Sequence, residues 1–255
     1  MSPDAGRGTE PARALLRNVA VVLAGGRGTR VGREVPKQLI AVAGKPIIEH
    51  AIAAMQASPL VDEILVVMTP GHLDEVRAIV RSGGYTKVSQ VLEGAPTRNG
   101  STVVALDALG DTECNVLLHD AARPLVSQAI IAANVEALQT HAAVDTAIPS
   151  SDTVIALDPD GTIADVLPRH LLRRVQTPQS FRLSTIRAAY ASAARDPDFA
   201  ATDDCTVVLR YSPDVPVAVV PGDERNLKVT GPVDVHIADR LLQLAAQEDP
   251  DLEDP

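Results

Sequence analysis

A glycine-rich segment with basic residues follows the first apolar run of the sequence. Residues 19–25 read VAVVLAG, and Arg27, Arg30 and Lys37 come next among small residues. Glycines let backbone N–H groups approach phosphate oxygens closely, and arginine or lysine adds full positive charge. In open α/β sheets, ligands bind at the carboxyl ends of strands, where this segment falls. The segment predicts a site for a polyanion such as a triphosphate, and a solvated turn with incidental basic residues is the alternative.

Two widespread glycine motifs do not fit this segment. The dinucleotide fingerprint G-x-G-x-x-G would begin at Gly26 and Gly28, but its third glycine position is occupied by Val31. The phosphate-binding motif of P-loop proteins needs Ser or Thr after Gly-Lys, whereas the only Gly-Lys pair of the chain precedes Pro46. The sequence therefore excludes both a dehydrogenase-type loop and a P-loop.

Short β-branched runs alternate with helical patterns and indicate how these residues are positioned. The predicted strands are residues 19–25, 63–68, 116–120 and 215–220, and the predicted helices are residues 47–55, 73–82, 127–139, 183–195 and 232–247. This alternation predicts an α/β fold with a doubly wound, mainly parallel sheet covered on both faces. Residues 143–176 break the rhythm, and the DPDG turn at 158–161 predicts a protruding β-arm at about 147–174.

The predicted organisation is a single domain at 18–247 between two tails. Residues 1–17 are rich in Pro, Gly and Arg, and five of the last eight residues, 248–255, are acidic. Both ends are expected to be disordered. Because the N-terminal residues lack an apolar signal core and no run could span a bilayer, a cytoplasmic protein without membrane partners is expected.

Composition excludes several classes of protein. Aromatic residues make up 2% of the 255 residues and the formal net charge is −10, so a general nucleic-acid binder is not expected. The two cysteines, Cys114 and Cys205, form neither a disulfide framework nor a zinc pattern, and are expected to be reduced and buried.

Several motifs together resemble a known family. LAGGRGTRVG with the downstream PKQ resembles the signature of nucleotidyltransferases, and the further segments are HDAARP at 119–124, DT at 152–153, QTPQSF at 176–181, TDD at 202–204 and NLKVT at 226–230. Their order over residues 19–245 resembles the 2-C-methyl-D-erythritol 4-phosphate cytidylyltransferase family. The resemblance implies a Rossmann-like nucleotidyltransferase fold and a homodimer joined through the β-arm. It also implies attack of a polyol phosphate on the α-phosphorus of CTP, with release of pyrophosphate.

The resemblance also implies roles for individual residues. Arg30, Lys37 and Lys228 are the expected catalytic cations, and Asp120 is the expected ligand of Mg²⁺. The expected substrate-binding positions are Ala24, Gly25, Gly26, Gly28, Gly94, Arg98, Ser101, Arg123, Thr153 and Arg169.

Some of these residues have structural alternatives. Residues 98–101 are also typical of a helix start capped by Asn99 or Ser101, Asp120 could cap the next turn, and Arg123 could form a structural ion pair. His119 is expected to be packed and hydrogen-bonded, because this chemistry needs no imidazole.

The TDD motif also has two interpretations. Asp203 or Asp204 could assist the metal, or Thr202 could cap a helix whose dipole the two acids favour.

Two alternative functions stay open. A ribitol-5-phosphate cytidylyltransferase is favoured by LAGG in the first loop and AVDT at 143–146, whereas PSSDTV at 149–154 and HDAARP favour methylerythritol phosphate. A catalytically silent nucleotide-binding module is the other alternative. The joint presence of Arg30, Lys37, Asp120 and Lys228 argues against it.

Overall fold

The computed structural model describes residues 16–25 and 36–248. The strands are β1 (Asn18–Ala24), β2 (Ala41–Val42), β3 (Lys45–Pro46), β4 (Glu63–Met68), β5 (Val88–Glu93), β6 (Asn115–Asp120), β7 (Ala143–Pro149), β8 (Ile155–Leu157), β9 (Ile163–Val166), β10 (Arg173–Arg182) and β11 (Val217–Pro221). The helices are α1 (Ile47–Ala57), α2 (Leu73–Ser82), α3 (Arg98–Ala108), α4 (Gln128–Ala137), α5 (Leu183–Ala193), α6 (Asp204–Tyr211) and α7 (Pro232–Glu248).

Seven strands form the central sheet in the order β11-β7-β10-β6-β1-β4-β5. The pairs β6-β1, β1-β4, β4-β5 and β11-β7 are parallel, and β10 runs antiparallel to both of its neighbours. The predicted mainly parallel α/β sheet is confirmed. In the register of β1 and β6, Leu23 lies beside Asp120, so both strands end at the same edge of the sheet.

The sheet is covered on both faces by helices. Alternate residues of β1 belong to two separate cores: Val19 and Val21 pack with α3, α5 and α6, whereas Ala20 and Val22 pack with α1, α2 and α4. A strand buried on both faces must be apolar at every position, which is why β1 reads as a continuous apolar run.

The chain segment that breaks the sequence rhythm divides into two parts. β7 and β10 belong to the central sheet, and only β8 and β9 pair outside it as a two-stranded hairpin. The interpretation of 143–176 as one excursion is therefore wrong at both ends. The rhythm breaks there because β10 returns antiparallel to β7, without a crossover helix.

The ends of the domain differ slightly from the predicted tails. The carbonyl of Arg17 accepts a hydrogen bond from the Asn115 N–H at 2.8 Å, and its guanidinium pairs with Glu63 at 2.6 Å. Arg17 therefore belongs to the domain, and α7 continues to Glu248. Residues 1–15 and 249–255 lie outside the described residues.

Two predictions from composition can be compared with the fold. Cys114 and Cys205 are both buried and free, as expected. Among residues 16–25 and 36–248, no helix is long and apolar enough to cross a bilayer.

Candidate active site

Asp120 lies at the carboxyl end of β6 and is 7% exposed. Its Oδ2 lies 2.7 Å from Nζ of Lys228, and its Oδ1 accepts a hydrogen bond from Nε of Arg98 at 3.1 Å. Burial raises the pKa of the Asp120 carboxyl, but the charges of Arg98 and Lys228 outweigh it and hold this pKa well below its usual range. The carboxylate is therefore ionised at neutral pH and faces cations instead of capping the next turn.

Arg98, the first residue of α3, connects two carboxylates. Its Nη1 lies 2.6 Å from Oδ2 of Asp204, in addition to its bond to Asp120. Burial lowers the pKa of the guanidinium, but Asp204 and Asp120 outweigh that effect and the net shift is upward. Arg98 is thus a permanently charged link between β6 and α6.

The start of α3 is capped by a residue that the sequence interpretation missed. Thr97 Oγ1 accepts a hydrogen bond from the Gly100 N–H at 3.0 Å. The alternatives that Asn99 or Ser101 caps this helix are therefore wrong. Ser101 Oγ instead accepts from the Ala95 N–H at 3.1 Å and donates to the Thr97 carbonyl at 3.0 Å, which closes the preceding turn.

Gly25 and Gly94 meet at Ser101. A Cβ on Gly25 would overlap Ser101 Oγ, and a Cβ on Gly94 would lie 2.9 Å from the same oxygen. The Ala24 carbonyl accepts from Thr69 Oγ1 at 3.1 Å, which fixes the end of β1. The two glycines are therefore required by close backbone approach, and they place the start of the first loop against the turn before α3.

The side chain of Lys37 reaches the backbone next to Lys228. Lys37 Nζ donates to the carbonyl of Val229 at 2.9 Å, one residue after Lys228. The predicted convergence of Lys37, Lys228 and Asp120 is consistent with these contacts. Arg30, Gly26 and Gly28, which were also assigned to the site, lie outside the described residues.

Arg123 is 8% exposed and donates to two backbone carbonyls, of Asn226 at 2.7 Å and of Val175 at 3.3 Å. Its Nε has no hydrogen-bond partner in the described part of the chain. Burial lowers the pKa of this guanidinium. The hydrogen bonds of Arg123 go to backbone carbonyls and not to a carboxylate, so they differ from those of a structural ion pair.

Arg98, Asp120, Arg123 and Lys228 border one cavity of about 140 Å³, and Lys37 is not among its described lining. Its described lining consists of Arg98, Asp120, Arg123, Val175, Gln176, Thr177, Gln179, Thr202, Asp203 and Lys228. Three cations and two carboxylates, of which Asp120 is buried, lie here at the carboxyl edge of an α/β sheet, an arrangement that suits a phosphorylated ligand with a metal ion.

His119 and Thr177 fix the backbone around Asp120. His119 is fully buried, and burial lowers its pKa to about 4, so the ring is neutral at pH 7. Its Nε2 lies 3.1 Å from the carbonyl of Arg123 and must carry the proton, so Nδ1 accepts from Thr177 Oγ1 at 3.0 Å. Thr177 Oγ1 in turn accepts from the Asp120 N–H at 3.0 Å. The expectation of a packed, hydrogen-bonded His119 is confirmed.

The two acids of the TDD motif have different environments. Asp203 caps α6, because its Oδ1 accepts from the Thr206 N–H at 2.7 Å, so the expectation that Thr202 is the cap is wrong. Asp203 borders the cavity, whereas Asp204 is fully buried and accepts from protein donors. Of the two, only Asp203 lies where a ligand in the cavity could reach it.

Thr153 and Arg169 lie near the β8–β9 hairpin. Arg169 Nη1 donates to the carbonyl of Ser151 at 3.2 Å. Neither residue is among the described residues that border the cavity of their own chain.

Comparisons with known proteins agree with this geometry. The family model of 2-C-methyl-D-erythritol 4-phosphate cytidylyltransferase matches residues 18–244. The enzyme of that name from Thermobifida fusca is 50% identical over 240 residues, covering 92% of this chain and 96% of the relative. A bifunctional ribulose 5-phosphate reductase/CDP-ribitol pyrophosphorylase, Bcs1 from Haemophilus influenzae, is 36% identical over 230 residues, covering 89% of this chain and 48% of the relative.

Solved structures show the same fold. 4-Diphosphocytidyl-2C-methyl-D-erythritol synthase from Anaerococcus prevotii has a TM-score of 0.80 at 29% identity, covering 89% of this chain and 99% of its own. 2-C-Methyl-D-erythritol 4-phosphate cytidylyltransferase from Thermus thermophilus has a TM-score of 0.70 at 32% identity, covering 88% and 98%. The chain therefore belongs to the 2-C-methyl-D-erythritol 4-phosphate cytidylyltransferase family.

Proposed function

We propose that this chain transfers the cytidylyl group of CTP to 2-C-methyl-D-erythritol 4-phosphate and releases pyrophosphate. The observation that carries the proposal is the cavity in which Arg98, Arg123 and Lys228 surround the carboxylate of Asp120. Membership of the family and the 50% identity to the Thermobifida fusca enzyme support the same activity.

The reaction needs no nucleophile from the protein. An oxygen of the acceptor phosphate forms a bond to the α-phosphorus of CTP, and the bond from that phosphorus to the bridging oxygen breaks. The electron pair leaves with pyrophosphate. Catalysis is then a matter of holding two anions together and offsetting the negative charge that grows on the α-phosphate and the leaving group.

We assign that charge compensation to the cations of the site. Lys37 Nζ is held by the carbonyl of Val229, the residue after Lys228, so we place both lysines on one triphosphate, and Arg30 has the same proposed role. Arg123 is proposed to hold the acceptor phosphate, since its Nε has no protein partner among the described residues. Backbone N–H groups of the first loop, at Ala24, Gly25, Gly26 and Gly28, and the turn at Gly94 are proposed to hold the nucleotide.

Mg²⁺ is the proposed cofactor, with Asp120 as its protein ligand. Within residues 16–25 and 36–248, no three His, Cys, Asp or Glu side chains are grouped to hold a metal. A single ionised carboxylate fits Mg²⁺, which binds through one or two carboxylates together with phosphate oxygens and water. When bound, the ion would supply positive charge to the α- and β-phosphate oxygens.

A homodimer through the β8–β9 hairpin is part of the proposal. Apolar side chains of the hairpin are unusually exposed, with Leu157 at 59%, Ile163 at 61% and Val166 at 56%. A second copy of the chain would cover them. Thr153 and Arg169 would then contact the acceptor bound to the other protomer, which accounts for their place away from the cavity of their own chain.

The acceptor follows from the more similar relatives. The methylerythritol phosphate enzyme of Thermobifida fusca is 50% identical, against 36% for the CDP-ribitol pyrophosphorylase Bcs1. Both the nucleotide and the acceptor are multiply charged and do not cross membranes unaided, so a cytoplasmic site of action belongs to the same proposal.

A pyrophosphate-release assay tests this function. We expect release with CTP and methylerythritol 4-phosphate, and at least tenfold slower release with ribitol 5-phosphate or with UTP or ATP. A substrate that leaves a hydrogen-bonding group of the site unpaired loses about 1.4 kcal/mol or more of transition-state binding. Faster release with ribitol 5-phosphate would assign the other acceptor. Absence of release with every pair of substrates would support the silent nucleotide-binding module.

A further inference from the structure

Asp204 is a buried carboxylate that the proposed reaction does not use. It is 0% exposed, and three side chains donate to it. Tyr190 Oη and Thr102 Oγ1 donate to Oδ1 at 2.6 and 3.0 Å, and Arg98 Nη1 donates to Oδ2 at 2.6 Å. The carboxylate therefore has a single fixed orientation.

The backbone of Asp204 is held as firmly as its side chain. Its N–H donates to Gln179 Oε1 at 3.0 Å, and the Cys205 N–H donates to the same oxygen at 3.3 Å. Gln179 Nε2 in turn donates to Asp145 Oδ1 at 3.1 Å. The start of α6 is thus fixed to β10 and β7, and Asp204 can act as a rigid anchor for Arg98.

Burying a charge is costly unless it is paired, and an apolar pair would fill this space at lower cost. A stability role alone does not account for the ionic contacts. The second contact of Arg98 is with Asp120, the carboxylate of the cavity. Asp204 and Asp120 together carry two negative charges, and Arg98 and Lys228 together carry two positive charges. The net charge of these four side chains is therefore zero.

Removal of the charge of Asp204 would leave Asp120 alone between Arg98 and Lys228. The group would then carry a net charge of +1, and Arg98 would be free to turn fully towards Asp120. Both changes oppose binding of a divalent cation at Asp120.

We propose that Asp204 is a positioning residue, which holds Arg98 in place and offsets its charge so that Asp120 stays available to the metal–nucleotide complex. This inference rests on the proposed function for the role of Asp120. It also reassigns Arg98, which the sequence interpretation placed in contact with the nucleotide, to the support of Asp120.

A double-mutant cycle of Asp204→Asn and Asp120→Asn tests the inference. We expect Asp204→Asn to lower kcat about tenfold with both KM values changed less than about threefold, because a contact that acts on the transition state is weakened. Asp120→Asn should lower kcat at least about a hundredfold. If Asp204 acts through Asp120, the double variant should be no slower than Asp120→Asn alone.

Binding of Mn²⁺ gives a readout that does not depend on turnover. In the presence of CTP, titration followed by electron paramagnetic resonance should show at least about threefold weaker Mn²⁺ binding for Asp204→Asn than for the unmodified chain. Unchanged Mn²⁺ binding would overturn the inference.

Asp196 offers a matched control. Its Oδ2 accepts from Tyr211 Oη at 2.6 Å and from Arg210 Nη2 at 2.8 Å, so it shares a tyrosine and an arginine partner with Asp204 but does not border the cavity. Asp196→Asn should retain kcat and Mn²⁺ binding. If it lowers both as much as Asp204→Asn does, the effect is a general one of a lost ion pair and the inference is wrong.

The remaining outcomes separate the inference from the proposed function. The inference would be overturned if the loss of kcat in the double variant equalled the product of the two single losses, or if Asp204→Asn had a normal kcat. In both cases the proposed role of Asp120 would stand. Normal kcat for Asp120→Asn would reject the role of Asp120, and the inference with it. If Asp204→Asn does not fold, Tyr190→Phe replaces it in the same cycle. Tyr190→Phe should lower kcat less than Asp204→Asn would. Added to Asp120→Asn, it should cause no further loss of kcat.

Discussion

Lys37 and Lys228 are the two described cations to which we assign the compensation of charge on the pyrophosphate. Lys37 Nζ is held by the Val229 carbonyl, and Lys228 Nζ contacts Asp120. Replacement of either residue by Ala should lower turnover at least about a hundredfold, because charge on the pyrophosphate is left without compensation. This corresponds to a barrier raised by about 3 kcal/mol. Steady-state kinetics on the folded variants measures this effect.

Lys87 supplies the control for that experiment. Its Nζ also donates to a backbone carbonyl, that of Ser58, at 2.6 Å, but Ser58 is the C-cap residue of α1, whereas the carbonyl held by Lys37 follows Lys228. Lys87→Ala should keep normal turnover. A folded Lys37→Ala protein with normal turnover would reject the proposed role of Lys37.

Asp145 gives a pH-dependent prediction. It is 8% exposed, and burial raises its pKa from 3.8 to about 6, with the neighbouring Asp203 adding to the shift against the hydrogen bond from Gln179. The unfolded chain releases this proton at lower pH than the folded chain does, so stability falls between about pH 4 and pH 6 and stays lower above. Asp145→Asn should therefore stabilise the protein by up to about 3 kcal/mol at pH 8 and much less at pH 4.

Urea unfolding at the two pH values measures the difference. Asn keeps an oxygen that can accept from Gln179 Nε2, so the variant removes the charge and little else. An equal change in the free energy of unfolding at pH 4 and pH 8 would contradict the assignment of a raised pKa to Asp145.

For single residues, the sequence motifs predicted which residues are close together better than they predicted the contacts of each residue. From HDAARP and NLKVT we predict that Asp120 and Lys228 lie close together, and the two side chains are in contact at 2.7 Å. The contacts of Arg98 with Asp204 could not be predicted, because they depend on where α6 packs, 106 residues away along the chain. The cap of α6 was misassigned by one residue, since Thr202 and Asp203 are both good capping residues.

Among the elements, α3 couples stability to the site. Thr97 caps its start and Arg98 is its first residue. Thr97→Ala should lower the free energy of unfolding by about 1 kcal/mol. Because the first turn also holds Arg98 against Asp120, turnover should fall as well.

Ser127, which caps α4 by accepting from the Ile130 N–H at 3.3 Å, allows a comparison. Ser127→Ala should lower stability by a similar amount and leave turnover unchanged, since α4 contributes no described residue to the cavity. Chemical denaturation and steady-state kinetics on both variants test this. Equal effects on turnover would show that the cap of α3 has no specific connection to the site.

Element prediction succeeded for the central parallel strands and for the edge strand β11, and it missed the edge strand β5. β1, β4 and β6 read as continuous apolar runs because they are central strands. β5, an edge strand, was missed because VSQVLE mixes polar and apolar residues and is mostly half-buried or exposed. β7 and the first residues of β10 were included in the predicted excursion at 143–176, because an antiparallel return carries no helical signal between its strands.

For the whole molecule, the exposed β8–β9 hairpin is the proposed site of dimer assembly. Leu157 and Ile163 lie opposite each other in the β8–β9 register, and both are more than half exposed. If a second copy covers them, dimer formation stabilises the folded state by mass action, so the apparent Tm should rise with protein concentration. The double variant Leu157→Lys with Ile163→Glu should remove that dependence.

The double variant is chosen to spare the hairpin itself, since opposite charges directly across two strands attract each other while the apolar surface is lost. Leu209→Lys, which changes a leucine of α6 that is also 59% exposed, is the control and should remain dimeric. Light scattering after size exclusion gives the mass of each variant, and calorimetry at concentrations tenfold apart gives the shift in Tm.

Because Arg169 lies beside the hairpin and is proposed to act on the other protomer, the monomeric variant should also show a raised KM for the acceptor with little change in KM for CTP. A monomer with both KM values unchanged would show that each chain binds its acceptor unaided, and a variant that stays dimeric would place the interface elsewhere.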